Sequence, residues 1–197
     1  NLIDLMANSK QLLPYLDIPL QHASPEVLKS MRRPSDVDWV RRTISIMRER
    51  IPDLVVRTTF IVGFPTETED HFQRLYEFVE EMQFDHMGVF TYSPEVGTFA
   101  ESLGDPVSQV VKETRQEELM ELQSRLALEK KQALIGKTLD VLVEGVDEEQ
   151  DILIGRSYRD APEIDGLVVA NGHAAVGDLT PVEIEGVGPY DLFGSQI

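Results

Sequence analysis

The 197-residue chain contains no cysteine. A disulfide scaffold is therefore excluded, and so is any thiolate-held metal built from these residues. Long hydrophobic runs are also missing. Stretches such as Phe60-Ile61-Val62 are far short of the ~20 residues a membrane-spanning helix needs, and no basic segment followed by an apolar stretch marks a signal peptide. Positive charge is scarce: 18 Lys and Arg stand against 35 Asp and Glu, for a net charge of −17. Nucleic-acid binders gain affinity by neutralising phosphates with Lys and Arg. This balance disfavours general RNA binding and suits a basic partner, although solubility alone accounts for many acidic proteins. The histidines, His22, His71, His86 and His173, show no metal-ligand spacing.

The residues present divide into two textures. Tyr15–Leu20 reads as a short strand, followed by a helix start at Ser24-Pro25, with Ser as N-cap and Pro at the first helical position. Ser35 is expected to open the next helix, whose apolar face is Val40, Ile44, Met47 and Ile51, and Pro52 ends it. Val55–Val62 is the clearest strand, rich in β-branched residues. Gly63-Phe64-Pro65 breaks it, and Thr66 with Glu69 is expected to form a capping box. The following helix carries Phe72, Leu75, Val79 and Met82 on one face, and Asp85–Tyr92 is a third strand. Alternating strands and helices imply βαβ units and a parallel sheet. Three strands are too few to close a barrel, and the chain begins at Asn1 beside a strand, so it is expected to be a piece of a longer protein.

After a loop over Gly97–Pro106, a long charged helix runs from Val107 to Leu134, with Leu119, Leu122 and Leu126 on one face and Gly136 as its stop. Beyond it, short apolar runs alternate with turn residues: Leu139–Val143, Ile152–Ile154, Leu167–Val169, Val182–Ile184 and Tyr190–Phe193. Asp165-Gly166 and Asn171-Gly172 are tight-turn signals between them, and the pattern predicts a small antiparallel β-barrel. The expected domains are 1–106, half of a parallel barrel; 107–135, a connecting helix; and 136–197, the small barrel. Thirteen acidic and three basic residues after Leu134 put −10 of the net charge on that last part.

Ligands of parallel α/β sheets bind at the C-terminal ends of strands. Those ends are Gln21-His22, Gly63-Phe64-Pro65-Thr66-Glu67 and Tyr92-Ser93-Pro94-Glu95. On the middle strand Arg57, Thr59, Ile61 and Gly63 alternate to one side, and a cation, a hydroxyl, an aliphatic and a glycine suit a ligand with a carboxylate, a ribose and a base. Glycine at 63 would let a ligand approach the backbone. Gln21 and His22 are candidates to hydrogen-bond ribose or substrate, and Tyr92 to stack on a base. For each, a plain reading stands alongside: a strand with a turn glycine, loop polarity and core packing. No nucleophile–base pair stands out, and Gly63–Glu67 lacks the G-K-[ST] ending of a P-loop. The acidic turn Asp147–Asp151 lacks calcium-loop spacing and reads as a solvated turn.

Three ordered motifs carry a resemblance. Tyr15-Leu16-Asp17-Ile18-Pro19-Leu20-Gln21-His22 resembles the fourth barrel strand of the radical-SAM methylthiotransferases. Arg57-Thr58-Thr59-Phe60-Ile61-Val62-Gly63-Phe64-Pro65-Thr66-Glu67 resembles the family's fifth strand, with its Val-Gly-Phe-Pro-x-Glu-Thr signature. Tyr92-Ser93-Pro94-Glu95-Val96-Gly97-Thr98-Phe99-Ala100 resembles the sixth-strand motif. The last sixty or so residues are similar to a TRAM domain. Within the family, Gly155–Gly166 and the Arg-Thr-Thr-Phe run at 57–60 resemble the RimO type, which modifies an aspartate β-carbon of small-subunit ribosomal protein S-twelve, rather than the MiaB type, which modifies a tRNA adenosine. The acidic barrel points the same way, since like charges facing tRNA phosphates are unfavourable.

The resemblance implies a partial radical-SAM (TIM-like) barrel, a helix and a TRAM barrel. It implies S-adenosylmethionine and two 4Fe-4S clusters, cleavage of the cofactor to a radical that abstracts hydrogen from an unactivated carbon, an electron donor and a cytoplasmic location. It assigns Gln21, Arg57, Thr59 and Gly63 to cofactor positioning, and Phe64 and Tyr92 to the adenine side. The acidic barrel is expected to engage the basic ribosomal protein. The family's C-x-x-x-C-x-x-C and its second cysteine trio are absent, so the chain alone is expected to be inactive. Thr66, where glycine is common, is a lesser departure.

Overall fold

The computed structural model describes residues 2–197. They form two compact units: one from residues up to Ser9 and Leu16–Leu126, the other from Lys10–Tyr15 and Ala127–Ile197.

The first unit holds α1 (Leu2–Asn8), β1 (Tyr15–Gln21), α2 (Pro25–Ser30), α3 (Val37–Arg50), β2 (Val55–Val62), α4 (Glu69–Met82), β3 (His86–Thr91) and a 3-10 turn (Phe99–Leu103), followed by α5 (Gln109–Gln132). The strands lie in the order β1-β2-β3, with β2 and β3 parallel and Thr59 opposite Gly88. This is the expected open part of a parallel barrel. Helix α1, a single short amphipathic piece with Met6 buried, has no counterpart among the expected elements.

The expected helix starts shift once side chains are placed. Asp36, not Ser35, caps α3 by accepting from the Trp39 N–H. Thr68, not Thr66, caps α4, and His71 completes the reciprocal box that Glu69 was expected to make. Ser24 precedes α2 as expected but makes no cap; its Oγ donates to Glu26 at 2.8 Å, which holds that carboxyl below the usual carboxylate range.

Strand β2 alternates as its sequence requires. Thr58, Phe60 and Val62 are buried under the helices, while Arg57, Thr59 and Ile61 are only half-buried on the opposite face. Phe60 meets Phe78 and Phe84 edge-on, with ring centroids 6.4 and 5.9 Å apart, at the centre of the core that also takes Ile44, Leu75, Val79 and Leu119. Each such ring stabilises the unit by roughly 3–5 kcal/mol relative to alanine.

Helix α5 joins that core through Leu119, Leu122 and Leu126, but it also buries Lys112, Arg115 and Gln123 on the same stripe. Three of its side chains donate to carbonyls in and just beyond β3, the edge strand of the sheet. Lys112 Nζ donates to Tyr92 O, Gln116 Nε2 to Val89 O, and Gln123 Nε2 to both Phe84 O and Asp85 O, at 2.6–3.2 Å. Unpaired edge carbonyls invite strand addition, and here α5 occupies the Val89 carbonyl of β3 and covers its two ends.

The second unit is a closed barrel, β4-β5-β6-β8-β7, from β4 (Thr138–Asp147), β5 (Ile152–Arg156), β6 (Val168–Asn171), β7 (Leu179–Val187) and β8 (Leu192–Gln196). Val141, Val168, Val182, Ile184 and Leu192 fill it. Four of its five pairings are antiparallel, and the β6–β8 pair is parallel, a departure from the all-antiparallel expectation. Neither Asp165-Gly166 nor Asn171-Gly172 makes the expected two-residue hairpin turn; β5 and β6 are joined through a long loop and Asn171 closes β6. Register shifts at Val143/Gly145 and Ile184/Gly186 bend β4 and β7. Opposite them, Gly155 and Gly194 bring backbones so close that an added Cβ would lie 2.2 Å from Leu142 O and 2.1 Å from Glu183 O.

Candidate functional site: a cavity at the strand ends

The C-terminal ends of β1, β2 and β3 are tied together by buried charge. Glu67 sits five residues past Val62, the last residue of β2, in the Gly63–Glu67 turn, and its carboxylate is fully buried. One oxygen accepts from Gly63 N at 3.0 Å and from Arg115 Nη1 at 2.7 Å; the other faces His22 Nε2 at 3.1 Å. Ser24 N donates to His22 Nδ1 at 2.9 Å, so in the neutral ring the proton is on Nε2 and is donated to Glu67. Arg115 continues to the exposed carboxylate of Glu69 at 3.0 Å. An ionised carboxylate is tolerated in the interior because a cation and two further donors surround it. The effect is a clip that joins the end of β1, the turn after β2 and α5.

This arrangement corrects the expectation for His22. Both its ring nitrogens are used inside the protein and its side chain is buried, so it is not offered to a ligand. Gly63 is packed from within the chain as well. It has φ +73°, a left-handed conformation that favours glycine, but the space a side chain would occupy is filled by Lys112, whose Cγ lies 2.3 Å from an added Cβ. On that side the glycine seats a lysine stem. Lys112 is in turn anchored by Asp105, at 2.6 Å, and by Tyr92 O.

Above the clip lies a cavity of about 510 Å³, lined by Gln21, Ile61, Phe64, Phe90, Tyr92 and Phe99, with Arg32 and Arg33 among its charged residues. Its size falls in the range of small-molecule sites. Phe64 and Tyr92 are buried and meet edge-on at 5.2 Å, and with Val27 they form a separate apolar cluster. Gln21 is held at φ +71° at the very end of β1. Of the sequence-derived candidates, Gln21, Phe64 and Tyr92 line this cavity together. Arg57 and Thr59 lie further back on the half-buried face of β2, where Arg57 Nη1 donates to Asp17 at 2.9 Å.

One feature of the cavity speaks for a ligand. The Tyr92 hydroxyl is buried and has no hydrogen-bond partner among the described residues. A buried hydroxyl left unpaired costs about 1–3 kcal/mol, and a bound polar group would remove that cost. Burial, reinforced by the nearby carboxylates of Asp105 and Glu101, pushes the phenol pKa up, so it remains a donor beyond the usual tyrosine range. The volume, the apolar walls and the orphaned donor fit a nucleoside-like ligand such as S-adenosylmethionine. The residues do not fit an iron–sulfur cluster, since the chain has no cysteine and no group of three His, Asp or Glu among the described residues is placed to hold a metal ion.

Sequence reasoning did not foresee Glu67, Arg115 and Lys112 as the frame of the site. Glu67 lies within the motif that follows β2, but its side-chain partners His22 and Arg115 are more than forty residues away, a separation no local pattern reports.

Comparisons with known proteins agree with the fold. The radical SAM superfamily model matches residues 1–79 and the TRAM domain model residues 135–197. A ribosomal protein uS12 methylthiotransferase RimO from Hahella chejuensis is 51% identical over 199 residues, covering 100% of this chain and 45% of the relative. Proteins of the same name from Thermus thermophilus and Aquifex aeolicus are each 49% identical, covering 100% and 98% of this chain and 45% and 46% of their own lengths. The chain thus spans somewhat under half the length of these curated relatives. With both domain models in place and RimO proteins matched from end to end of the chain, the chain belongs to the radical-SAM methylthiotransferase family, as a C-terminal part of the RimO type.

Proposed function

We propose that this chain is the part of a RimO-type enzyme that closes one side of the S-adenosylmethionine site and presents the enzyme to its protein substrate. The observation that carries the reading is the end-to-end identity of about half to proteins named for modifying ribosomal protein uS12. The cavity at the strand ends supports that reading. Gln21, Phe64 and Tyr92 wall the adenosyl portion, the Tyr92 hydroxyl donates to it, and Thr59 and Arg57 extend the same face toward the rest of the cofactor. The Glu67 clip holds these strand ends in register and excludes water from beneath them. When bound to a reduced 4Fe-4S cluster, S-adenosylmethionine supplies the radical chemistry that activates an aspartate β-carbon. None of the cluster's cysteine ligands lies in these 197 residues, so the chain by itself is expected to cleave no S-adenosylmethionine. Parts 1–106, 107–135 and 136–197 then serve as cofactor wall, connector and substrate-docking barrel.

The partner is a basic ribosomal protein, and the reaction is cytoplasmic and draws on an electron donor. With −10 after Leu134, the barrel steers a basic protein toward it and repels tRNA phosphates. No helix among the described residues is long and apolar enough to cross a membrane. The test is intact-mass spectrometry of small-subunit ribosomal proteins from cells with and without the gene, with tRNA nucleosides measured alongside. A methylthio group lost from uS12 with tRNA unchanged supports the reading. Loss from a tRNA adenosine moves the protein to the other branch, and no change in either leaves a non-catalytic adaptor.

A further inference from the structure

The cavity mouth carries a feature that the cofactor does not explain. Helix α2 stops with a left-handed residue, where N–H groups of Arg32 and Arg33 return to Lys29 O and Leu28 O. The left-handed position of such a stop favours glycine. Here it is Arg32, at φ +56°, a backbone conformation that costs a residue with a side chain. Its guanidinium lies 3.8 Å from the centroid of the Phe99 ring, within cation–π range, which fixes the cation beside the cavity. Arg33 follows on the same lining and has no side-chain partner among the described residues. Both arginines are exposed, so they stand at the solvent side of the cavity. Glu95 is the one carboxylate on that lining. In a chain of net charge −17, two adjacent arginines on one lining stand out, with Glu95 beside them and Asp105 and Glu101 near Tyr92.

We infer that Arg32 and Arg33 bind the side-chain carboxylate of the substrate aspartate. Arginine is the residue suited to a carboxylate, because its planar fork matches the two oxygens. The Phe99 ring holds the Arg32 guanidinium carbon at 3.8 Å without taking its N–H groups, and Arg33 supplies a second cation. The aspartate then enters from the solvent side with its β-carbon directed at the inner part of the cavity, where the adenosyl group is placed under the proposed function. The inference rests on that function for the identity of the anion. It assigns specificity to two residues outside the motif strands: an asparagine in the same peptide lacks the charge that the pair recognises.

The test uses this chain and two synthetic peptides, one spanning the uS12 aspartate and one with asparagine in its place. Calorimetry should show the aspartate peptide binding at least about tenfold more tightly, the scale expected when a charge-assisted hydrogen bond is lost. In Arg32→Gly combined with Arg33→Gln the ratio should fall to about one. Arg32→Gly suits the left-handed backbone, and Arg33→Lys, which keeps the charge, should retain part of the preference, so a folding defect cannot mimic the result. A ratio of one in the unaltered chain, including no binding of either peptide, overturns the inference. So does a ratio that survives the double substitution. If the substitutions weaken S-adenosylmethionine instead and leave the ratio unchanged, the arginines hold the cofactor carboxylate and the inference falls. None of these outcomes alters the ribosomal-protein mass measurement, which judges the proposed function separately.

Discussion

Arg115 Nη1 lies 2.7 Å from Glu67 Oε1, with both side chains buried, and this pair joins α5 to the turn that follows β2. Removing the cation leaves a buried carboxylate with only neutral donors. Arg115→Met should cost about 3–5 kcal/mol in chemical denaturation, and Glu67→Gln added to it should recover much of the loss. A double-substitution cycle without coupling would show that the pair is incidental to stability.

The Gly63–Lys112 approach makes a second prediction. Gly63→Ala combines a left-handed backbone with a Cβ driven into the lysine stem. A destabilisation of about 2–4 kcal/mol is expected from strain and overpacking together. Lys112→Ala in the same background should relieve the steric part, and unfolding curves of the two variants make the comparison.

Tyr92 gives a pH prediction. Burial raises its pKa in the folded chain, with Asp105 and Glu101 adding to the rise. The folded value is above the unfolded one of about 10, so the associated stability is fully present below that value and is lost as pH rises through the folded value. Phenolate absorbance should show one tyrosine titrating later than the rest, absent in Tyr92→Phe. A ligand that accepts from the hydroxyl should delay it further.

In the barrel, Gly194→Ala places a methyl group against Glu183 O, a backbone atom that cannot rotate away. The barrel should lose about 3 kcal/mol or more, seen as earlier thermal loss of its strand signal. Gly177→Ala, where an added Cβ meets nothing within 4 Å but the φ is +95°, should cost only the conformational strain.

Much of the fold was legible because local pattern and tertiary burial agree. Val55–Val62 was delimited by its β-branched run, and Phe72, Leu75, Val79 and Met82 are all buried as their spacing required. Where the two disagree, the pattern misleads. The buried stripe of α5 interleaves Lys112, Arg115 and Gln123 with Leu119, Leu122 and Leu126, so hydrophobicity alone reports only half of what the helix buries. Helix caps moved by one or two residues because several adjacent Ser, Thr and Asp side chains compete for the same role. The β6–β8 parallel pairing depends on how the barrel closes, which no single strand encodes. Gln21, Phe64 and Tyr92, expected from strand ends, line one cavity, whereas Arg32 on the same lining sits in a helix stop and carries no strand signal at all.

The hydrogen bonds from Lys112, Gln116 and Gln123 to the carbonyls of Tyr92, Val89, Phe84 and Asp85 also give the three-stranded sheet a direction of growth. A strand arriving beside β3 would have to evict α5 and abandon these contacts together with the leucines between them. The resistance to strand addition that α5 provides is therefore confined to the β3 flank of the sheet.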